Sequence, residues 1–315
     1  MSEKTQDDVI ALARRMLEQS HAKKLSVVWY GGEPLLAPEI IEGLSKRLIA
    51  LCDEYRVDYK AQIVTNGYLL NKENTGMLSR VKIESAQVTI DGVGAAHDRT
   101  RHLTNGSGSF DVIIKNLHRQ IPFPVMIRHN VSADNVEELD ELRDYIKKLA
   151  SESGNKLEVY PDLVHKSIVA DERGEEVRLL EGEKAACIAA EMRKISNGVL
   201  YCGAQRLWSV CIDEKGRLYK CWECVDKADM SFGNAGEWDP KDPLRTAHNH
   251  DVLTEFINTA PPQNDQECRD CIWFPHCLGG DPYHRLYIKR GCPAYKEMPE
   301  IFLKTLYKSL KGRSS

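Results

Sequence analysis

The 315-residue sequence lacks any apolar run close to the roughly 18 residues that a membrane-spanning helix needs. Neither sign of charge dominates, because 43 basic and 47 acidic residues leave a net charge of −4. That balance gives no indication of binding to nucleic acid or to an anionic membrane. The polar, acidic N-terminus does not resemble a secretory signal peptide. We therefore expect a cytoplasmic protein of about two domains with neither a nucleic-acid nor a membrane partner.

Cysteine is almost absent from the first 186 residues, where Cys52 stands alone. The other nine of the ten cysteines lie between Cys187 and Cys292. Disulfides rarely persist in a reducing cytosol, so this density favours metal binding. Cys52 and Cys187 are surrounded by apolar residues of predicted helices, where packing is the expected role of a thiol.

Apolar segments alternate with amphipathic ones along the first half of the chain. Strands are predicted at 26–30, 60–65, 86–90, 125–131 and 156–160, and helices at 6–19, 39–55, 72–80, 110–120 and 136–151. This alternation predicts an α/β fold with a parallel sheet, and leaves open whether the sheet is flat or closed into a barrel. Thr5 is the predicted N-cap of the first helix. The first strand is continuously apolar, which is typical of a strand buried on both faces.

Glycine and polar residues follow all five predicted strands. In parallel α/β architectures, ligands bind at the carboxyl ends of the strands. Turn formation alone accounts for any single group of this kind. Because the groups recur after every strand, a shared binding site is the better hypothesis.

The segment 28–36, VWYGGEPLL, resembles the Gly-Gly-Glu-Pro motif of radical S-adenosylmethionine enzymes. Segments 65–70 (TNGYLL), 88–92 (VTIDG) and 128–131 (RHNV) are similar to the motifs that follow in that family. The resemblance implies a partial (β/α)6 barrel that lacks its first strand. It also implies an S-adenosylmethionine site, in which Glu33 pairs with the ammonium, Arg128 meets the carboxylate and Asp91 gives support. The complete set is Gly31, Gly32, Glu33, Asn66, Thr89, Asp91 and Arg128.

The sequence departs from the family at one place. Family members hold their catalytic [4Fe–4S] cluster with a Cys-x3-Cys-x2-Cys motif upstream of Gly-Gly-Glu, and no cysteines here have that spacing. The simplest expectation is an N-terminally truncated enzyme. The chain as it stands is not expected to bind that cluster or to cleave S-adenosylmethionine reductively.

The cysteines of the second half resemble the SPASM extension of radical enzymes that modify peptides, such as anaerobic sulfatase maturases and thioether-forming peptide maturases. The resemblance implies two auxiliary [4Fe–4S] clusters. Cys202, Cys211, Cys221 and Asp281 would hold the first, and Cys268, Cys271, Cys277 and Cys292 the second. Asp281 stands where a cysteine is usual. It is an oxygen ligand, or the first cluster has an open iron or is absent, or Cys224 substitutes. Two zinc sites are the alternative to clusters.

The predicted domains are a partial radical S-adenosylmethionine barrel at 1–162, a linker with a helix at 163–200, and a small cysteine-rich α+β SPASM domain at 201–315. The resemblance implies an oxidoreductase whose 5′-deoxyadenosyl radical abstracts hydrogen from a peptide or protein, with flavodoxin or ferredoxin as electron donor. One alternative is a non-catalytic iron–sulfur or zinc module that binds peptides. Another is an aggregation-prone fragment, because a missing strand exposes a parallel edge.

Overall fold

The computed structural model describes residues 1–164, 178–195, 202–288 and 291–311. These residues form two compact units, and neither is continuous in sequence. One unit combines residues 1–22 with the described residues between 202 and 299. The other contains residues 23–164, 178–195 and 300–311. The predicted domain boundaries at 162 and 200 stay predictions, and most of the predicted linker lies outside the described residues.

The second unit contains a five-stranded parallel sheet and the helices that connect its strands. The strands are β1 (Lys24–Trp29), β2 (Asp58–Thr65), β3 (Ile83–Thr89), β4 (Val125–Val131) and β5 (Leu157–Leu163). The helices are α2 (Pro38–Tyr55), α3 (Lys72–Arg80), the short α4 (Ala95–Asp98), α5 (Phe110–His118), α6 (Glu138–Ser153) and α7 (Gly182–Ile195), joined by the described part of α13 (Pro299–Lys311). The predicted α/β class and parallel sheet are confirmed.

The strand order is sequential, β1-β2-β3-β4-β5, and each neighbouring pair is parallel. A sheet wound in one direction has no point where the strand order reverses, so it curves like part of a barrel. Thr89 on β3 is paired with Arg128 on β4, which is paired with Tyr160 on β5. The register therefore places these three residues in one row near the carboxyl ends of their strands.

One face of the sheet carries the apolar core. Ile63, Val88 and Ile127 are fully buried there. On α2, buried Leu44, Leu48 and Leu51 recur at helical spacing and form an apolar stripe. The alternate strand residues are more exposed and mostly polar, and include Gln62, Gln87 and Arg128. Polar side chains therefore line the open face of the sheet.

The prediction that the first strand is buried on both faces is wrong. Exposure alternates along β1, and Val28 is 50% exposed. The reason is position, because β1 is paired only with β2 among the described residues and lies at the edge of the sheet. Tyr30, directly after the strand, is also 50% exposed. A continuous apolar run does not reveal whether a neighbouring strand covers it.

Helix α1 (Glu3–Gln19) belongs to the cysteine-rich unit. Its N-cap is Ser2, whose hydroxyl accepts a hydrogen bond from the Thr5 amide at 3.1 Å. The predicted cap, Thr5, lies inside the first turn and is buried. Arg15 donates to the carbonyls of Ala235 and Trp238 at 2.6 and 3.1 Å, which ties the helix to this unit.

The remainder of the cysteine-rich unit consists of short elements. Strands β6 (Cys211–Ile212), β7 (Arg217–Tyr219) and β8 (Gly233–Asn234) form an antiparallel sheet. Its described helices are α8 (Pro243–Thr246), α9 (His250–Thr254), α10 (Gln266–Arg269), α11 (Phe274–Cys277) and α12 (Pro282–Tyr287), with a π-helix at Glu255–Thr259. None of the helices in the described part of the chain is long and apolar enough to cross a bilayer.

Candidate functional site

The predicted cofactor residues lie at the carboxyl ends of the parallel strands. Gly31, Gly32 and Glu33 follow β1, and Asn66 follows β2. Thr89 ends β3, Asp91 follows it, and Arg128 lies within β4. Gly31 and Gly32 are exposed, and no neighbouring atom lies within 4 Å of the position that a Cβ would take at either. Their backbone is therefore open to a ligand.

The carboxylate of Glu33 joins the ends of β1 and β2. It accepts hydrogen bonds from the Thr65 hydroxyl at 2.8 and 3.0 Å and from the Asn66 amide at 2.7 Å. It also accepts one from the Leu35 amide at 3.0 Å. A carboxylate has about four acceptor positions, so these donors hold Glu33 in a fixed orientation and occupy much of its capacity. Glu33 first organises the turn, and a ligand ammonium would compete with these donors.

Asp91 makes the corresponding connection between the ends of β3 and β4. One carboxylate oxygen accepts the Asn130 amide at 2.8 Å, and the other is paired with the Arg101 guanidinium. The adjacent Gly92 has a φ of +141°, and a Cβ there would lie 2.8 Å from the Cβ of Ala96, which cannot move aside. Glycine is thus required at this turn. Asp91 fits the predicted supporting role, because both of its oxygens are used within the protein.

His97 completes the buried connection beside Asp91. Its Nδ1 accepts the Asp91 amide at 3.2 Å, so its Nε2 carries the proton and donates to the Ser109 hydroxyl at 3.0 Å. That hydroxyl in turn donates to the Arg101 carbonyl at 2.6 Å. Burial, together with the nearby Arg101 cation, lowers the pKa of His97 to about 4. The imidazole is therefore neutral at ordinary pH and holds the loop in place.

Arg128 is the cation of the open sheet face. One terminal nitrogen is 2.8 Å from a carboxylate oxygen of Asp162. Its Nε is buried and has no hydrogen-bond partner among the described residues. A buried guanidinium nitrogen without a partner is costly, so an anionic ligand would stabilise it. This unsatisfied nitrogen fits the predicted contact with the carboxylate of S-adenosylmethionine.

Tyr160 and Gln87 accompany Arg128 on the same face. The Tyr160 hydroxyl donates to the Gln87 side-chain oxygen at 2.6 Å. Burial raises the pKa of Tyr160 to about 12, so this phenol stays protonated. Neither residue stands out in the sequence, because the position of Tyr160 beside Arg128 depends on the pairing of β4 with β5. The ligand roles of all seven predicted cofactor residues stay predictions.

The first cysteine group is buried in the core of the cysteine-rich unit. Cys221 and Cys224 belong to one core cluster, and Cys202 and Cys211 pack against it. Burial raises the pKa of the Cys202 thiol and raises the pKa of the Cys211 thiol to about 11. A hydrogen bond with Cys224, together with burial, raises the pKa of the Cys221 thiol. Burial therefore favours the neutral thiol over the thiolate. A bound metal ion would stabilise the thiolate through its positive charge.

A lysine that the sequence analysis missed lies beside this group. The side chain of Lys220 is buried, and its ammonium donates to the carbonyls of Arg206 and Ser209 at 2.5 and 2.6 Å. Burial lowers the pKa of Lys220 to about 8, and negative charge on Cys211 and Cys202 opposes that change. The sequence signal was faint, because a lysine before a cysteine in a hairpin ordinarily faces solvent.

Asp281, the fourth predicted ligand, occupies a different environment. It is exposed and is the N-cap of α12, where its Oδ1 accepts the His284 amide at 3.0 Å. Its charge contributes to raising the pKa of the Cys202 and Cys221 thiols, so it lies within electrostatic reach of them. Ligation by Asp281 stays a prediction.

The second predicted group lines one pocket. Cys268, Cys271, Cys277 and Cys292 all contribute to its wall, together with aromatic and glycine residues. The cavity volume is about 20 Å³, enough for one water molecule or one ion.

Three of these four sulfurs have hydrogen-bond donors directed at them. The guanidinium of Arg285 lies 3.2 Å from the sulfur of Cys268, and the amide of Gly279 lies 3.3 Å from that of Cys277. The Lys296 ammonium lies 3.6 Å from the Cys292 sulfur. Donors and cations stabilise thiolates, which are the form that metals bind. The donor set thus fits a metal-thiolate centre.

The backbone after Cys277 adopts an unusual conformation. Leu278, Gly279 and Gly280 all have positive φ, at 52°, 83° and 76°. A Cβ on Gly279 would lie 2.2 Å from Pro262, so no other residue fits there. This left-handed run directs the Gly279 amide back to the Cys277 sulfur.

Metal binding requires side-chain movement in both groups. Within the described ranges, no three His, Cys, Asp or Glu side chains stand close enough to hold an ion as they are. None of the ten cysteines, all of which lie in those ranges, forms a disulfide. The chemistry of the two groups therefore fits a metal, and the thiols would rotate inward to bind it.

The cysteines expected to pack do so. Cys52 is buried on α2, where burial raises the pKa of its thiol. The sulfur of Cys187 lies 3.9 Å from the hydroxyl of Thr305 on α13.

Comparison with known proteins identifies the first half of the chain. Residues 1–149 match the family model described as the Radical SAM superfamily. The chain is 32% identical over 126 residues to an AdoMet-dependent heme synthase from Methanosarcina barkeri, and 26% identical over 124 residues to an Fe-coproporphyrin III synthase from the same organism. These matches cover 38% and 39% of this chain, and 33% and 29% of the relatives. The chain thus spans about a third of the curated relatives that it matches.

Solved structures share the fold over nearly the whole chain. The structure of anSMEcpe with bound AdoMet and the Kp18Cys peptide has a TM-score of 0.66 at 17% identity, and the match covers 99% of this chain and 90% of that one. SuiB from Streptococcus suis bound to S-adenosylmethionine has a TM-score of 0.52 at 18% identity, covering 92% and 68%. At these identities the likeness establishes the fold. Residues 1–149, a little under half of the chain, are thus similar to the Radical SAM superfamily, and the parallel sheet has the fold of a partial barrel of that kind.

Proposed function

We propose that this chain is the S-adenosylmethionine-binding and cluster-bearing part of a radical enzyme that modifies a peptide or protein. The observation that carries the proposal is the second cysteine pocket, whose wall includes four cysteines, three of them with hydrogen-bond donors directed at their sulfurs. The match of residues 1–149 to the Radical SAM superfamily model supports the S-adenosylmethionine part of the proposal. The cysteine pattern, similar to SPASM extensions, supports the auxiliary clusters.

The residues at the strand ends would hold the methionine part of the cofactor. Gly31 and Gly32 offer open backbone, and Glu33 offers a carboxylate to the ammonium. Arg128 offers its unsatisfied Nε to the carboxylate. When bound, S-adenosylmethionine would supply radical chemistry for the abstraction of a hydrogen atom from the substrate. The work of the protein is to bind, orient and exclude water.

The cysteine-rich unit would hold two auxiliary clusters. Such clusters would bind the substrate or accept the surplus electron that remains after its oxidation. A flavodoxin or ferredoxin would donate the electron that reductive cleavage of S-adenosylmethionine requires. Cys268, Cys271, Cys277 and Cys292 would ligate one cluster. Cys202, Cys211 and Cys221 would contribute to the other, with a fourth ligand still to be assigned.

A tetrapyrrole is the second candidate substrate. The names of the two sequence relatives point to heme and Fe-coproporphyrin III, at identities above those of the structural neighbours. The matches to those relatives cover less than two fifths of this chain, whereas anSMEcpe matches its full length. We therefore place peptide or protein substrates first. Titration with Fe-coproporphyrin III separates the two, since a saturable shift of the Soret band would favour the tetrapyrrole.

A non-catalytic peptide-binding module is the remaining alternative, because the sequence has no Cys-x3-Cys-x2-Cys motif. An assay for 5′-deoxyadenosine in the reduced, reconstituted chain addresses it. Release of 5′-deoxyadenosine by this chain would rule out the non-catalytic module.

The S-adenosylmethionine site is tested by calorimetric titration of Arg128→Met. We expect this variant to bind S-adenosylmethionine at least about 10-fold more weakly than the wild type, since a hydrogen bond to a charged group contributes roughly 1.5–3 kcal/mol. Arg80→Met is the matched control, because Arg80 is exposed on α3 and lies 3.7 Å from its partner Glu42. Equal affinity in Arg128→Met and wild type would contradict the proposed site.

A further inference from the structure

Cys224 is the most deeply buried thiol of the first cysteine group, with 0% of its surface exposed. It follows Cys221 on a single 3₁₀ turn, in which the Cys224 amide donates to the Cys221 carbonyl at 3.1 Å. A Cys-x2-Cys turn of this kind brings two sulfurs to one side of the backbone, the arrangement that thiolate metal sites use.

Cys221 and Cys224 belong to one core cluster, which also contains Tyr219, and Cys202 and Cys211 pack against that cluster. No other cysteine of the described residues belongs to it or packs against it. Four cysteines thus share one core, and Asp281 is not among the residues of that core.

Asp281 already has a structural role. Its Oδ1 caps α12 and its carbonyl accepts the Arg285 amide at 3.1 Å, so it fixes the start of that helix. It is exposed, whereas Cys224 is fully buried. Ligation through Oδ1 would compete with the cap of α12.

The buried ammonium of Lys220 gives an independent argument. Among its hydrogen-bond partners are two carbonyls, which satisfy donors but do not neutralise charge. A buried cation needs a negative partner. Lys220 directly precedes Cys221, and the two carbonyls that its ammonium binds belong to the segment between Cys202 and Cys211. A cluster held by four thiolates would place that negative charge next to Lys220.

We propose that Cys224, and not Asp281, is the fourth ligand of the first metal site, which Cys202, Cys211 and Cys221 complete. Each thiol releases its proton as it binds the metal. The identity of the metal, an iron–sulfur cluster, rests on the proposed function, whereas the ligand set does not. The site differs from the SPASM pattern, which places a cysteine at position 281.

The test compares metal content in four variants, each reconstituted anaerobically with iron and sulfide as the full chain. Cys224→Ala is expected to fall from about eight irons to about four, because one of two [4Fe–4S] sites is lost. Cys202→Ala should show the same loss and serves as the positive control. Asp281→Asn keeps a capping oxygen and should retain about eight irons, as should Cys52→Ala, which removes a core thiol of the other unit. The iron retained by Cys224→Ala at the second site, with an unchanged circular dichroism spectrum, shows that the unit is folded.

Two results would overturn the assignment: wild-type iron in Cys224→Ala, or loss of iron from Asp281→Asn. If the wild type instead contains two zinc ions and no sulfide, the proposed clusters are wrong. In that case the zinc content of the variants identifies the ligands: Cys224→Ala should hold one zinc ion per chain and Asp281→Asn two. The failure of one proposal is thereby distinguished from the failure of the other.

Discussion

His97 shows how a single buried side chain fixes the geometry of the strand ends. It is fully buried and connects the Asp91 amide with the Ser109 hydroxyl. Protonation would put a second proton on the ring, at the nitrogen that now accepts from Asp91. The network is therefore compatible only with the neutral imidazole.

The pKa of His97 makes stability depend on pH. In the folded state it is about 4, against an ordinary value of 6.5, so the unfolded chain binds the proton first as the pH falls. This part of the stability is complete above pH 6.5 and is lost between pH 6.5 and 4. We expect His97 to remove roughly 2 kcal/mol of unfolding free energy between pH 7 and 5. Urea unfolding at the two pH values measures the difference.

The variant His97→Gln isolates this contribution. Glutamine offers one acceptor and one donor and does not titrate, so the pH dependence of unfolding should shrink by that amount. His118→Gln is the control, since His118 is exposed at the end of α5 and should leave the pH dependence unchanged. An unchanged pH dependence in His97→Gln would show that His97 does not titrate as described.

At the scale of elements, α1 depends on tertiary contacts. Arg15 donates to two carbonyls after β8, and Gln19 donates to Asp239 at 2.9 Å. Gly236 lies close to the helix, where a Cβ would be 3.0 Å from the Asp8 carboxylate. The helix therefore stabilises the turn that follows β8.

We predict that Arg15→Met lowers the stability of this turn by about 2 kcal/mol, because two charge-assisted hydrogen bonds are lost and two carbonyls lose a partner. Hydrogen exchange of residues 232–239 measures the change. Lys4→Met on the same helix removes only the exposed pair with Asp8 and should alter exchange little. Equal exchange in the two variants would mean that Arg15 does not hold the turn.

The sequence predicted the longer elements of the sheet unit well, and the reason is periodicity. Strands β2 to β5 and helices α2, α3, α5 and α6 begin and end within three residues of the predicted positions. The edge position of β1 was missed, because pairing partners do not appear in a local pattern. Helices α8 to α12 were missed as well, since helices of four to six residues show no apolar period and depend on surrounding contacts.

The candidate sites were also only partly predictable from the sequence. Motifs located Glu33, Asp91 and the cysteines, because spacing along the chain carries that information. The competing hydrogen bonds of Glu33, the burial of Lys220 and the capping role of Asp281 depend on residues distant in sequence. Only the fold reveals which groups are already occupied.

At the scale of the whole molecule, the proposed function depends on what the cysteine-rich unit binds. Both cysteine groups offer thiols with cations nearby: Lys220 at the first group, and Arg285 and Lys296 at the second. Iron–sulfur clusters and zinc both use such ligands. The small cavity at the second group leaves this choice to experiment.

The most direct test is to count iron, acid-labile sulfide and zinc in the wild-type chain after anaerobic purification. Two [4Fe–4S] clusters predict about eight irons and eight sulfides per chain with no zinc. Two zinc ions without sulfide would contradict the central claim, and this unit would then be a structural zinc module attached to a radical S-adenosylmethionine fold.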